Sequence, residues 1–331
     1  MYHRILERAL MLTVLVFAGV AAAETPSRVT ILYDSFGKNP ALTMDWGFAA
    51  LIEYGGKRIL FDTGNNAQIF EHNVKAAGVD LQNLDFVVMS HRHGDHMGGL
   101  AYLLKVNPTV KIYAPKERSG VYGDDQPSST WYRKDESLSV EQRYYRGAPP
   151  DTIHMGAAWP DANFQLIDKK TEISPGMFLI ALVSDIPGTL EVHELSLTIR
   201  TADGLVLVVG CSHPGVERIM QEASAIDPHI SVVLGGLHQI QAPEPEVERI
   251  ARMLHEQYKI DRVAPGHCTG EPEFAALKKV FRDHYVYAGV GTIIDLLGRT
   301  VSSASFSISR RRNVGDDAGY TVESGSRFKP D

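Results

Sequence analysis

Apolar positions follow two rhythms along this chain. Short apolar runs bounded by turn residues predict strands, and stretches with apolar residues three and four apart predict helices. Val29 to Tyr33, Trp46 to Tyr54 and Lys57 to Asp62 read as strands, and Gly55-Gly56 suits a two-residue hairpin turn, so the chain starts antiparallel. Asn65 or Asn66 can cap a helix running to about Ala77. Phe86 to Met89 reads as a buried strand, Leu100 to Leu104 as a helix and Val110 to Ala114 as another strand. The pattern then fails from Pro115 to about Pro175, which is rich in Gly, Pro, Ser, Asp and Tyr. A stretch this long reads as an insertion folding over a cleft, with Trp131, Tyr132, Tyr144, Tyr145 and Trp159 available for a flat or apolar ligand.

The second half repeats the alternation. Leu195 to Arg200 and Leu205 to Val209 read as strands joined at Asp203-Gly204. After the run GCSHPG at 210 to 215, Ser212 suits a helix cap and Pro214 a first helical position, with Val216, Ile219, Met220 and Ala223 at helical spacing. Ile230 to Leu234 reads as a strand ending in GGLHQ, which carries His238. Val247, Ile250, Ala251, Leu254 and Tyr258 then mark one helix face, and Val263-Ala264 leads into PGHCTG at 265 to 270 with His267.

Both ends of the chain read differently from this body. Arg4 and Arg8, the apolar run Ala9 to Val20 and Ala21-Ala22-Ala23 before Glu24 predict a cleavable signal peptide over 1–23. The uncharged run is shorter than the roughly twenty residues that span a bilayer, so no stable membrane insertion is expected after cleavage. The expected location is periplasmic or secreted. Residues 24–300 form the expected main domain, with the insertion at about 115–175, and 301–331 a Ser-, Arg- and Gly-rich flexible tail. With 44% apolar residues the mature length can bury a full core. The formal charge of −7 becomes −8 when the leader takes two basic and one acidic side chain with it, which argues against a nucleic-acid partner. Two cysteines, Cys211 and Cys268, are too few for a disulfide scaffold, and each lies within two residues of a candidate ligand histidine. They read as buried thiols, as one disulfide or as participants at a metal.

The candidate chemistry centres on Ser90 to His96, SHRHGDH, at the end of the predicted strand Phe86 to Met89. Three of the chain's thirteen histidines fall within six positions around one Asp. If the loop starts extended, His91 and His93 point to one side, while Asp95 and His96 are free to face a second point. His213 and His267 also sit in post-strand loops beside glycine. Imidazole and carboxylate in this number suit a pair of divalent ions, which lower the pKa of water to about 7 and yield hydroxide at neutral pH. By residue type, His91, His93 and His213 would hold one ion, and Asp95, His96 and His267 the other.

The run HRHGDH resembles the HxHxDH signature of the metallo-β-lactamase-fold superfamily. The resemblance implies an α/β fold, an αββα sandwich of two mixed β-sheets flanked by helices. It further implies that Asp62, in the run FDTG, orients the metal loop by hydrogen bonds. In the superfamily's usual spacing His193 would be a ligand and Cys211 a bridge. GCSHPG, GGLH, PGHCTG and the long insertion, over nearly all of 28 to 295, resemble the branch of 7,8-dihydropterin-6-methyl-4-(β-D-ribofuranosyl)aminobenzene 5′-phosphate synthase-like proteins. That branch favours His213 over His193 and turns His238 toward the cleft as a candidate acid or substrate contact. Asp95 and His238 are therefore the candidate catalytic residues.

The function expected is an exported hydrolase with two divalent metal ions, Zn2+ first and iron or manganese as alternatives. It would direct a metal-bound hydroxide at an ester, lactone, amide or phosphodiester of a small, ring-bearing substrate. An iron-dependent redox enzyme on the same fold and a non-catalytic metal- or ligand-binding protein are the other classes.

Overall fold

The computed structural model describes residues 25–297 apart from 118–121, 123, 132, 156–158 and 160. The predicted leader and tail lie outside the described residues. Among those described, no helix is long and apolar enough to cross a membrane.

Fifteen strands are described: β1 Arg28–Tyr33, β2 Ala49–Tyr54, β3 Lys57–Phe61, β4 Phe86–Val88, β5 Ile112–Pro115, β6 Asp124–Pro127, β7 Thr152–Met155, β8 Phe164–Ile167, β9 Thr171–Ser174, β10 Met177–Val183, β11 His193–Thr201, β12 Gly204–Val209, β13 Ile230–Gly235, β14 Arg262–Pro265 and β15 Ile293–Asp295. The helices are α1 Ala67–Ala76, the single turn α2 Gly94–Met97, α3 Leu100–Val106, the short α4 Ser128–Trp131, α5 Val216–Ser224, α6 Glu244–Arg252 and α7 Glu271–Phe281. One sheet has the order β15-β1-β2-β3-β4-β5-β8 and the other β14-β13-β12-β11-β10-β9, while β6 and β7 pair separately. Both main sheets are mixed. The first is antiparallel from β15 to β3 and parallel from β3 to β8, and the second is parallel from β14 to β12 and antiparallel beyond.

Strand alternation sorts the apolar residues into three layers. Ile31, Ile52, Ile59 and Phe61 of the first sheet meet Leu197, Val206, Val208 and Val232 of the second in a core between the sheets. Their neighbours Leu32, Leu51 and Leu60 face outward and pack with Phe70, Val74, Leu100 and Leu103 of α1 and α3. On the other outer face Leu205, Leu207 and Val233 pack with Ile219 and Met220 of α5, Ile250 of α6 and Leu277 of α7. The result is the expected αββα sandwich. Strands β3, β4, β12, β13 and β14 are mutually aligned within their sheets, so the loops after them gather along one edge.

The elements differ from their expected bounds in four places, each with a local cause. Residues 46–48 are a bend rather than strand, because Gly47 takes φ 143° and the Phe48 amide donates to the Asp95 carbonyl (3.2 Å). Ser212 and Pro214 do not open α5: Gly215 stands at its N-cap, and Ser212, at φ 66°, donates its hydroxyl to the Gly236 carbonyl (2.8 Å). The stretch 115–175 is not wholly an insertion, since β8 and β9 complete one edge of each main sheet. Within it, Trp159 packs against the outer core of the first sheet and Tyr122 lies on Phe164. Finally, the helix expected through Tyr258 gives way after Arg252 to a π-helical turn, Met253–Gln257.

Candidate metal centre

At the ends of β3 and β4 a buried carboxylate fixes the histidine loop. Asp62, at φ 57°, accepts hydrogen bonds from the Ser90 amide (2.7 Å), the Ser90 hydroxyl (2.7 Å) and His96 Nδ1 (2.7 Å). The Ser90 hydroxyl in turn accepts from His91 Nδ1 (2.8 Å). With their Nδ1 atoms committed, His91 and His96 present Nε2 to the cleft, and a neutral ring offers a lone pair there. Burial, reinforced by the surrounding imidazoles, holds His91 well below its ordinary pKa. The same causes, burial first, lower His93 to about 4. For His96 burial is outweighed by the Asp62 carboxylate, with Asp95 adding, and its pKa rises to about 9.

A second buried carboxylate, Glu194 beside the first residue of β11, shapes the loop after β12. It accepts from the amides of Cys211 (3.0 Å), Ser212 (2.7 Å) and His213 (2.8 Å), and from His213 Nδ1 (2.9 Å). Burial opposes ionisation of Glu194, but the His213 contact and these amides prevail and lower its pKa. Asp34, just past β1, does a related service after β14: it accepts from the amide of His267 (3.0 Å), which sits at φ 47°. Burial pushes Asp34 up to about 8 against that bond.

These supports bring the six expected ligands into two groups. The rings of His91, His93 and His213 have centroids 4.5 to 4.7 Å apart. In the other group His96 Nε2 lies 3.1 Å from His267 Nε2, and the Asp95 carboxylate is 3.8 Å from the former and 3.3 Å from the latter. Burial favours the neutral acid at Asp95, yet the His267 and His96 contacts hold its carboxyl well below the usual carboxylate range. Cys211 belongs to both groups, as its Sγ is 3.2 Å from His96 Nε2 and its donor atom lies within 4.8 Å of those of His91 and His213. Both thiols are free and buried.

His193 stands outside these groups, opposite Val183 in the β10–β11 pair, so the residue brought to the cleft from that strand is its neighbour Glu194. His238 takes φ 52° at the rim, with its ring 4.5 Å from that of His213. A hydrogen bond with Cys268 raises its pKa, and Cys211, His238 and Cys268 form a third cluster of possible donors. Three residues of the site carried no sequence signal of their own: Asp34, Glu194 and Trp46. Trp46 tilts over His267 with ring centroids 4.9 Å apart.

The donor set fits divalent ions. Imidazole nitrogens face one another at 3.1 Å in both groups, His91 with His93 and His96 with His267, and such converging lone pairs are relieved by a shared cation.

The metallo-beta-lactamase superfamily model matches residues 47–267, a span that includes all six of these candidate ligands. The chain belongs to that superfamily. It is similar to the 7,8-dihydropterin-6-methyl-4-(beta-D-ribofuranosyl)-aminobenzene-5'-phosphate synthase of Methanocaldococcus jannaschii, 26% identical over 294 residues that cover 80% of this chain and 95% of that protein. An uncharacterized protein of the same organism is 29% identical over 269 residues, 76% of this chain and 93% of that one. Among solved structures, a metal-dependent hydrolase of the beta-lactamase superfamily matches with a TM-score of 0.61 and 25% identity, covering 81% of this chain and 98% of that one.

Proposed function

We propose that this protein is an exported, metal-dependent hydrolase of a small molecule, with zinc in a dinuclear site. The observation that carries this reading is the convergence, from three separate loops, of His91 with His213 and of His96 with His267, Cys211 lying in donor range of both pairs and His93 and Asp95 beside them. His91, His93 and His213 would hold one ion, and Asp95, His96 and His267 the other. Bound there, such ions supply an activated water at neutral pH and polarise an ester, lactone, amide or phosphodiester group.

The chain's own residues divide the remaining work. Asp62 and Glu194 keep Nδ1 of His96 and His213 engaged, so the rings cannot turn away from the cleft. The Asp95 carboxylate, partly open to solvent, would turn Oδ2 to the ion beside His96 and His267 and orient the attacking water by a hydrogen bond. His238, on the rim beside His213, would deliver a proton to the leaving oxygen. A relative named as a synthase argues for the same cleft holding a ring-bearing substrate, not for the same reaction.

The test is metal quantification on purified protein, followed by a panel of lactones, esters, phosphodiesters and β-lactams. Metal-dependent turnover of one class, abolished in His93→Ala, supports the reading. A coloured iron-containing protein that consumes oxygen and hydrolyses nothing refutes it.

A further inference from the structure

Eleven large apolar side chains are exposed among the described residues, and five of them lie within the stretch 115–175. The other six, Met44, Trp46, Val183, Ile186, Leu190 and Ile240, fall in three short segments, 44–46, 183–190 and position 240. Exposed apolar residues scattered singly need no explanation, but this concentration does.

Each segment that carries them is fastened to a loop bearing a candidate ligand. The Phe48 amide donates to the Asp95 carbonyl (3.2 Å), and Trp46 tilts over His267 at 4.9 Å. Behind Trp46, Tyr33 donates its hydroxyl to Asp45, which also accepts from the Asn65 side chain (3.3 Å). On the opposite side the Ser184 hydroxyl donates to the His213 carbonyl (2.9 Å), which anchors the loop holding Ile186 and Leu190. Ile240 follows His238 by two residues and backs onto Gly270, where a side chain would come within 2.7 Å of its Cα. The apolar groups are thus held in the open, at 41% exposure for Trp46 and 60% for Leu190.

The same loops offer little to a polyanion. Their only Lys or Arg residues are Lys38 and Arg92. Lys38 lies over the Tyr287 ring at 4.1 Å, and Arg92 is paired with Glu117 at 3.0 Å. Arg218 nearby is paired with Asp185 at 3.0 Å.

We propose that this rim is the subsite for an apolar acyl chain, so that the substrate is a carboxylic ester or lactone of an aliphatic acid rather than a phosphodiester. The proposal rests on the hydrolase reading for the position of the scissile group, and on the rim alone for the chain.

Acetohydroxamate and octanohydroxamate share a metal-chelating head and differ by six methylenes, so their affinities for the zinc-loaded protein isolate the contribution of the chain. A fully buried methylene contributes about fourfold, and a half-open rim less, so the longer compound binds at least about thirtyfold tighter. Trp46→Ser with Ile186→Ser narrows the ratio to about threefold or less, and Leu190→Ser alone narrows it part-way. N-phenyl-1-naphthylamine, an uncharged apolar probe needing no metal, gives a second readout: its fluorescence rises with the wild type and not with the double variant. A flat hydroxamate series overturns the proposal, as does a ratio that survives in the double variant. Trp46-dependent sedimentation with phosphatidylcholine–phosphatidylglycerol vesicles alongside a flat series assigns the rim to a membrane surface instead. If neither hydroxamate binds, the hydrolase reading has failed, and the naphthylamine signal alone upholds or overturns the apolar subsite.

Discussion

Glu194 holds His213 twice, at the backbone amide (2.8 Å) and at ring Nδ1 (2.9 Å), while also accepting from the amides of Cys211 and Ser212. One carboxylate thereby sets both the path of the loop after β12 and the direction of its imidazole.

Glu194→Gln offers one acceptor oxygen where four donors converge, and its amide NH2 faces groups that also donate. Support of this kind is worth about 10- to 100-fold in metal affinity. Calorimetric zinc titration is expected to show a loss of that size at the His91, His93 and His213 group. Unfolding in urea should be easier by about 2 kcal/mol or more, because buried donors lose their partner. Unchanged zinc affinity would remove Glu194 from the site's design.

His93→Ala should leave the fold intact, since His93 is only partly buried, but lower bound metal from about two ions per chain to about one. Chelation of the wild type should lower its thermal midpoint by mass action, and His93→Ala should show a smaller drop. Metal quantification alongside thermal melts checks both.

Gly98 has ordinary helical φ, so alanine meets no backbone penalty there, yet a Cβ would overlap the carbonyl of Asn65. Gly98→Ala must separate the metal loop from the residues after β3. A destabilisation of about 1–3 kcal/mol in equilibrium unfolding is the expected size for such overpacking.

Glu273 in α7 is fully buried, and neither of its carboxylate oxygens meets a hydrogen-bond partner among the described residues. Burial, with the nearby Glu246 charge adding, pushes its pKa up from 4.5 to about 8. The unfolded chain therefore binds fewer protons than the folded one between these values, and this group's contribution to stability falls as pH rises through the window. Glu273→Gln removes the effect. Its stability gain over wild type should be small at pH 4.5 and grow by up to about 1.4 kcal/mol per pH unit toward pH 8, as read by urea unfolding across that range.

Expression of the full chain in a two-membrane bacterium should yield a periplasmic protein whose intact mass begins at Glu24. A cytoplasmic product retaining Met1 would overturn the export reading.

Much of the site was legible because its densest part is local. His91, His93, Asp95 and His96 share one loop, and their spacing carries the two-group arrangement before any folding is considered. The strands were legible too, since a residue facing the core between the sheets alternates with one facing the helices. Trp46 to Phe48 was misread because its apolar residues fit a strand, whereas the bond from Phe48 to Asp95 bends the segment over the cleft. Ser212 and Pro214 were misread because cap preferences are weak beside the amide bonds drawn in by Glu194.

By itself, then, the sequence determined the rhythm of the sheets, the presence of an asparagine cap at the start of α1 and the composition of the histidine loop, all of which depend on neighbours a few residues apart. Only the tertiary structure decided that Glu194 rather than His193 serves the site, that Asp34 grips a residue 233 positions away, and that Cys211 lies between the two groups. Those choices depend on which strand ends share an edge, and a buried carboxylate takes whatever donors that edge brings to it.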